Sequence, residues 1–156
     1  MICVIQRVAS AAVAVGDQII AAIDRGLLVF VAVVPEDDEQ DVAYVADRLR
    51  HLRVFADREG RTNLSVGDVA GGLLLVSQFT LAADTRRGRR PSFSGAAPPQ
   101  EARRRFGELV AELESADLTV QTGEFGATMQ VRLVNDGPMT LIVDSARRRV
   151  GSAGGR

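Results

Sequence analysis

Lysine is absent; all 19 basic residues are arginine. That excludes a Schiff-base lysine, a phosphate-loop lysine and a Ser-Lys dyad. Arginine offers instead a planar fork that grips phosphate oxygens in pairs. Cysteine and histidine occur once each, as Cys3 and His51. A disulfide within the chain and a cysteine- or histidine-based metal cluster are therefore excluded, and the low cysteine usage suits a reducing cytosol. No apolar run approaches the ~20 residues of a membrane span, and Gln6-Arg7 interrupts the stretch a leader would need. A cytoplasmic protein without a membrane partner is expected. The net charge of −1 gives no whole-chain attraction to a polyanion, so local charge must carry any such role.

What is present fits an ordinary globular domain. The chain has 156 residues, 46% of them hydrophobic and 25% charged. This is one domain's length and enough to bury a core without staples. We expect a single domain over residues 1–145 and a basic, frayed tail over residues 146–156.

Ile2 to Val8 reads as a first strand. Ala11–Val15 and Gln18–Ile23 read as a hairpin about Gly16-Asp17. Leu27 to Val34 is apolar without alternation and bounded by Gly26 and Pro35, the pattern of a strand buried on both faces. A helix is expected from Pro35-Glu36-Asp37-Asp38, with Val42, Val45, Leu49 and Leu52 on one face. His51 lies near that helix's end, where a packed or capping role is commoner than a catalytic one. Gly71-Gly72 opens a strand from Leu73 to Leu81. Residues 84–99 are irregular. Pro98-Pro99 starts a second helix with Ala102, Phe106, Leu109, Val110 and Leu113 as its apolar face. A short strand follows at Val120–Gly123. Two alternating runs, Met129–Val134 and Leu141–Asp144, flank Asn135-Asp136-Gly137-Pro138-Met139-Thr140, which reads as a tight hairpin turn. The tally predicts an α+β fold with a largely antiparallel, curled, barrel-like sheet and two main helices packed on one side.

Three stretches carry chemistry. Leu73–Leu81 begins apolar and ends with Ser77, Gln78 and Thr80, as a strand does when it runs into a pocket or into solvent. Alternation puts Ser77 and Phe79 on one face and Gln78 and Thr80 on the other. Gly137-Pro138 is an X-Pro bond that a fold can hold cis at little cost. A cis bond there would aim two successive carbonyls one way at the tip of a rigid turn. Arg86, Arg87, Arg89 and Arg90 surround Gly88, beside Phe93. That loop fits a solvated charge run and fits contact with a phosphate backbone. No Gly-rich phosphate loop or nucleophile motif is present. An enzyme built from these residues would depend on positioning, on backbone N–H donors and on groups its substrate brings.

Ser77-Gln78-Phe79-Thr80-Leu81 and Asn135-Asp136-Gly137-Pro138-Met139-Thr140 together resemble the two signature motifs of the D-aminoacyl-tRNA deacylases of the D-tyrosyl-tRNA deacylase type. Val4–Val8, Arg53-Val54-Phe55, Arg90-Pro91-Ser92-Phe93-Ser94 and Phe125–Met129 also look like family segments. The resemblance runs in order over residues 1 to about 145 and leaves Arg147-Arg148-Arg149 without a counterpart. It implies a homodimer of barrel-like subunits that hydrolyses the ester between a D-amino acid and the 3′-terminal adenosine of tRNA, without metal or other cofactor. Gly137-Pro138 matches a Gly-cisPro pair that one subunit inserts into its partner's site to reject L side chains. Glycine, lacking a side chain, would escape that rejection. Ser77, Gln78, Phe79 and Thr80 match the opposite wall, and Phe125 and Met129 match residues near the adenosine and substrate. On this likeness we expect backbone N–H groups near Phe79-Thr80 to hold the oxyanion and the ribose 2′-hydroxyl to activate water. Thr80 is the one side chain named as nucleophile or water-orienter. The arginine loop points to a competing class, a dimeric nucleic-acid-binding protein without catalysis.

Overall fold

The strand that organises the sheet is the first. In the computed structural model, which describes residues 1–86 and 88–151, β1 covers Ile2–Val15. One edge of β1 pairs along its length with β8 (Met129–Asp144). The other edge pairs first with β3 (Gly26–Ala32), opposite Ile2–Val8, and then with β2 (Gln18–Ile23), opposite Ala11–Val15. Beyond β3 the sheet continues to β6 (Gly72–Ser77) and β7 (Thr119–Thr122). β2 curls over towards β6, with Ile23 against Gly72, so the sheet nearly closes into a barrel. A separate two-stranded piece pairs β4 (Phe55–Ala56) with β5 (Thr62–Leu64).

The sheet is more mixed than the expected antiparallel one. Every pairing of β1 is antiparallel, whereas β3–β6 and β6–β7 are parallel. Parallel neighbours need a crossover, and the chain supplies one each time. Helix α1 (Glu39–His51) lies between β3 and β6, and α2 (Pro99–Glu114) between β6 and β7. The alternation-free runs of β3 and β6 follow from this, because both of their faces are covered. Leu27, Val29, Leu73 and Leu75 face the helices and meet Val45, Leu49, Phe106 and Leu109. Leu28, Leu74 and Val76 face the other way and join Val8, Val13 and Ile23 in a second core. Each fully buried leucine contributes about 1.5–3 kcal/mol relative to exposure.

The two main helices pack on one side of the sheet, as expected. α1 begins four residues later than Pro35. Asp38 is its N-cap and forms a capping box with Asp41. Asp37 is already engaged, accepting from the Val34 N–H at 2.8 Å and pairing with the Met1 amine. In the tail expected to fray, Ala146–Gly151 forms a short helix, α3. Residues 152–156 lie outside the described part.

The second motif is not a hairpin turn. Val8 pairs with Asn135 and Gln6 with Thr140, so one residue of β1, Arg7, stands opposite four of β8, Asp136 to Met139. Both flanking runs pair with β1 in the same direction. The chain therefore does not reverse at Asp136-Gly137; it swells outward as a wide bulge and resumes the strand. Asp136, Gly137 and Pro138 are exposed, and the Gly137-Pro138 peptide is cis.

Candidate active site

β6 ends at Ser77, and Gln78 extends its pairing by one bond, its N–H donating to the Val31 carbonyl at 2.8 Å. The chain then tightens into a 3-10 turn over Phe79–Ala82. The expected strand to Leu81 thus stops four residues early, and with it the two-face alternation. Ser77, Gln78 and Phe79 all line one cavity of about 270 Å³. The 123–128 loop closes one side with Phe125, Gly126 and Ala127, and α2 contributes Ala102 and Phe106. Met129, the first residue of β8, lines it too. Of the residues marked in the sequence, the fold brings together Ser77, Gln78, Phe79, Phe125 and Met129. Thr80 is not in the lining; its Oγ1 accepts a hydrogen bond from Gln78 Nε2.

Gly137 and Pro138 are not in the lining either. Their bulge is tied to β1. Arg7 Nε donates to the Asp136 carbonyl at 3.0 Å, and Asn135 Nδ2 donates to the Arg7 carbonyl at 2.9 Å and the Met139 carbonyl at 3.2 Å. The Gly-Pro tip is thus fixed at its base, and no contact with its own chain's cavity is formed.

With this geometry, comparison with known proteins is specific. A family model described as D-Tyr-tRNA(Tyr) deacylase matches residues 4–144. The chain belongs to that deacylase family. A protein of Pseudomonas paraeruginosa called D-aminoacyl-tRNA deacylase is 56% identical over 140 residues, covering 90% of this chain and 97% of the relative. One of Syntrophobacter fumaroxidans with the same name is 49% identical over 144 residues, covering 92% and 97%. A solved structure titled c-Myc DNA Unwinding Element Binding Protein superposes with a TM-score of 0.87 at 36% identity, covering 92% of this chain and 98% of that one. A structure titled as a probable eukaryotic D-amino acid tRNA deacylase, at 18% identity and a TM-score of 0.76, shares the fold.

Among the described residues, the cavity of this deacylase-family chain has no titratable side chain in its wall. Its polar groups are the Ser77 hydroxyl, the Gln78 amide and main-chain donors. The N–H groups of Phe79 and Thr80 open the 3-10 turn and, among the described residues, donate to no backbone carbonyl. The single histidine and the single cysteine both lie outside the cavity lining. His51 is exposed at the end of α1, its ring 2.9 Å from Asp47 Oδ1. Cys3, a residue of β1, is buried in the core, and burial pushes its thiol up to about 12, so it stays neutral. Among the described residues no three His, Cys, Asp or Glu side chains converge as a metal ligand set.

The arginine loop reaches the lip of the cavity. Phe93 stacks edge-on against Phe79, with ring centres 5.3 Å apart. The loop's base is closed by a bridge between Asp84 and Ser92. Arg86 is spent locally: it pairs with Asp84 at 2.7 Å, which raises the arginine's pKa and lowers the carboxylate's. Arg89 and Arg90 are exposed. Arg87 lies outside the described residues. Phe106 and Ala102 carried no mark of a site in the sequence, because an apolar i, i+4 pair on a helix reads the same whether it faces a core or a cavity.

Proposed function

We propose that the protein hydrolyses the ester joining a D-amino acid to the 3′-terminal adenosine of tRNA, and that it accepts mischarged glycine too. The observation that carries this is a cavity built by Ser77, Gln78 and Phe79 with no titratable group among the described residues of its wall, in a chain of this family. Such a wall suits an ester whose carbonyl is polarised by backbone donors rather than attacked by a side chain. The aminoacyl carbonyl oxygen sits against the Phe79 and Thr80 N–H groups, each worth roughly 3–4 kcal/mol once charge develops there. Water adds to the carbonyl carbon, losing its proton towards the ribose 2′-hydroxyl. The ester C–O bond then breaks, the 3′-oxygen takes up a proton, and free amino acid and tRNA leave.

Selectivity rests on a second copy. The Gly137-Pro138 tip enters the cavity of a partner subunit, and its carbonyls take the space of an L side chain. Glycine presents nothing to clash, so it is hydrolysed. This arrangement is supported by a tip that is exposed, tethered and absent from its own cavity's lining. Val134 and Ile142, 58% and 64% exposed on the same strand, give the second copy an apolar surface. Arg89 and Arg90 contact the RNA backbone, with Arg86 and Arg87 beside them. No helix among the described residues is long and apolar enough to cross a membrane, in keeping with a cytoplasmic site of action on aminoacyl-tRNA.

A second reading, a dimeric nucleic-acid-binding protein without catalysis, is favoured by the arginine loop and by the DNA-binding title of the 36%-identical structure. The decay of D-Tyr-tRNA and L-Tyr-tRNA with purified protein, with and without EDTA, separates the two. Fast loss of the D ester alone, insensitive to EDTA, is the expected result. Stable esters with tRNA still bound would replace the first reading by the second.

A further inference from the structure

Three successive arginines, Arg103 to Arg105, lie in the second turn of α2, and they are not equivalent. Arg104 is pinned between Glu101 at 2.6 Å and Glu108 at 2.7 Å. Arg105 is buried and shared among Glu101, Glu108 and Glu39. Arg103 has no carboxylate within 4 Å among the described residues. Its guanidinium lies over the Phe125 ring, 4.7 Å from the centre, and its Nη2 donates to the Phe125 carbonyl at 3.2 Å. Phe125 and the helix residues on either side of Arg103, Ala102 and Phe106, are all cavity wall. An exposed, uncompensated cation is therefore held against Phe125 at the cavity's edge.

We propose that Arg103 binds a phosphodiester of the acceptor strand, the one just 5′ of the terminal nucleoside. The inference rests on the deacylase reading above and adds a contact that the arginine loop does not supply. The size of the cavity argues for it. At about 270 Å³ the cavity falls below the ~300–1,000 Å³ that encloses a drug-sized ligand. It holds the reacting end of the substrate, and the chain leaves through the mouth with its first phosphate at the rim. There the stacked ring and the Phe125 carbonyl already fix the guanidinium, so little side-chain freedom is lost when its outward N–H groups fork onto phosphate oxygens.

The test uses two esters that differ by that phosphate. D-tyrosyl-adenosine has none, and the D-tyrosyl ester of the dinucleotide CpA has one. Arg103→Gln keeps an amide to reach the Phe125 carbonyl and removes the charge. Its kcat/KM for the dinucleotide ester is expected to fall roughly tenfold, as for a single charge-assisted contact at a solvated site. The fall for the adenosine ester is expected to be less than twofold, and Arg103→Lys should restore part of the difference. With full-length D-Tyr-tRNA the loss appears in KM, and the slope of log kcat/KM against log salt falls by about 0.7, the value for one phosphate on a single strand. Equal losses on both esters would mean that Arg103 only shapes Phe125, and would overturn the proposal. If the wild-type protein cleaves neither these esters nor D-Tyr-tRNA, the deacylase reading fails on its own. The salt slope of uncharged tRNA binding, Arg103→Gln against wild type, then still decides the phosphate contact.

Discussion

Arg7 holds Asp136 twice: its Nε donates to the Asp136 main-chain carbonyl at 3.0 Å and lies 3.0 Å from the same residue's Oδ2. Its Nη1 reaches back to the Val54 carbonyl. The arginine is nearly buried and Asp136 half-exposed, so a rigid donor inside the fold fixes the base of an exposed bulge. Lysine, a single compact cation, cannot serve Asp136 and Val54 at once. Arg7→Lys is expected to loosen the Gly137-Pro138 tip and to lower the ratio of D- to L-Tyr-tRNA hydrolysis by roughly tenfold, the equivalent of one lost hydrogen bond of about 1.4 kcal/mol. Single-turnover rates on both esters measure this. An unchanged ratio would mean that Asn135 alone holds the bulge.

Thr80 was the one side chain the sequence offered as nucleophile, and its Oγ1 is occupied as the acceptor for Gln78 Nε2 outside the cavity lining. Thr80→Ala is therefore expected to keep the deacylation rate within about threefold, far from the ~10²–10⁴-fold that loss of a general acid or base brings. A loss beyond about a hundredfold in single-turnover assays would return Thr80 to the chemistry. Gln78→Ala, which removes part of the wall, is expected to cost more than Thr80→Ala.

What could be read from the sequence was local. The strands, both helices and the polar end of β6 follow from periods of 2 and 3.6 and from Gly and Pro punctuation. The bulge did not. Asp136-Gly137 between alternating runs looks the same whether the chain reverses or swells, and the difference lies in which strand the runs pair with. That partner is β1, more than 110 residues away, and no local pattern encodes it. The sense of β3–β6–β7 was hidden in the same way, since parallel pairing depends on where α1 and α2 cross over. Arg103 and Phe125 are brought together by the packing of α2 on the 123–128 loop, a contact equally invisible to spacing.

The parallel pairing of β3 with β6 sets a sharp steric limit. Gly26 faces Gly72, and a Cβ on Gly26 would stand 1.9 Å from the Gly72 carbonyl oxygen. The obstructing atom is backbone in a central strand, so it cannot rotate away. Gly26→Ala is expected to destabilise the protein by about 3 kcal/mol or more, at the severe end for overpacking. Gly16 is the contrast. It sits at φ +58° in the β1–β2 turn with nothing within 4 Å of a Cβ. Asn tolerates that conformation, so Gly16→Asn should change stability by less than about 1 kcal/mol. Urea midpoints for the two variants decide both.

Cys3 gives a pH signature. Burial, reinforced by Asp37 and Asp144 and opposed by the Met1 amine, pushes its thiol up to about 12. In the unfolded chain a thiol titrates near 8.5. The folded value is the higher one, so its contribution is complete below about pH 8.5 and is lost as pH rises towards 12. With no lysine in the chain, few other side chains titrate in the lower part of that window. The unfolding free energy is expected to fall above pH 8.5, with a slope of up to about 1.4 kcal/mol per pH unit from this one group. Cys3→Ala should flatten the fall while costing some packing at neutral pH. The thiol should also resist labelling at pH 8 until urea unfolds the protein. Rapid labelling of the native state, or an identical pH slope in Cys3→Ala, would show that the site is open to water and that the burial argument fails.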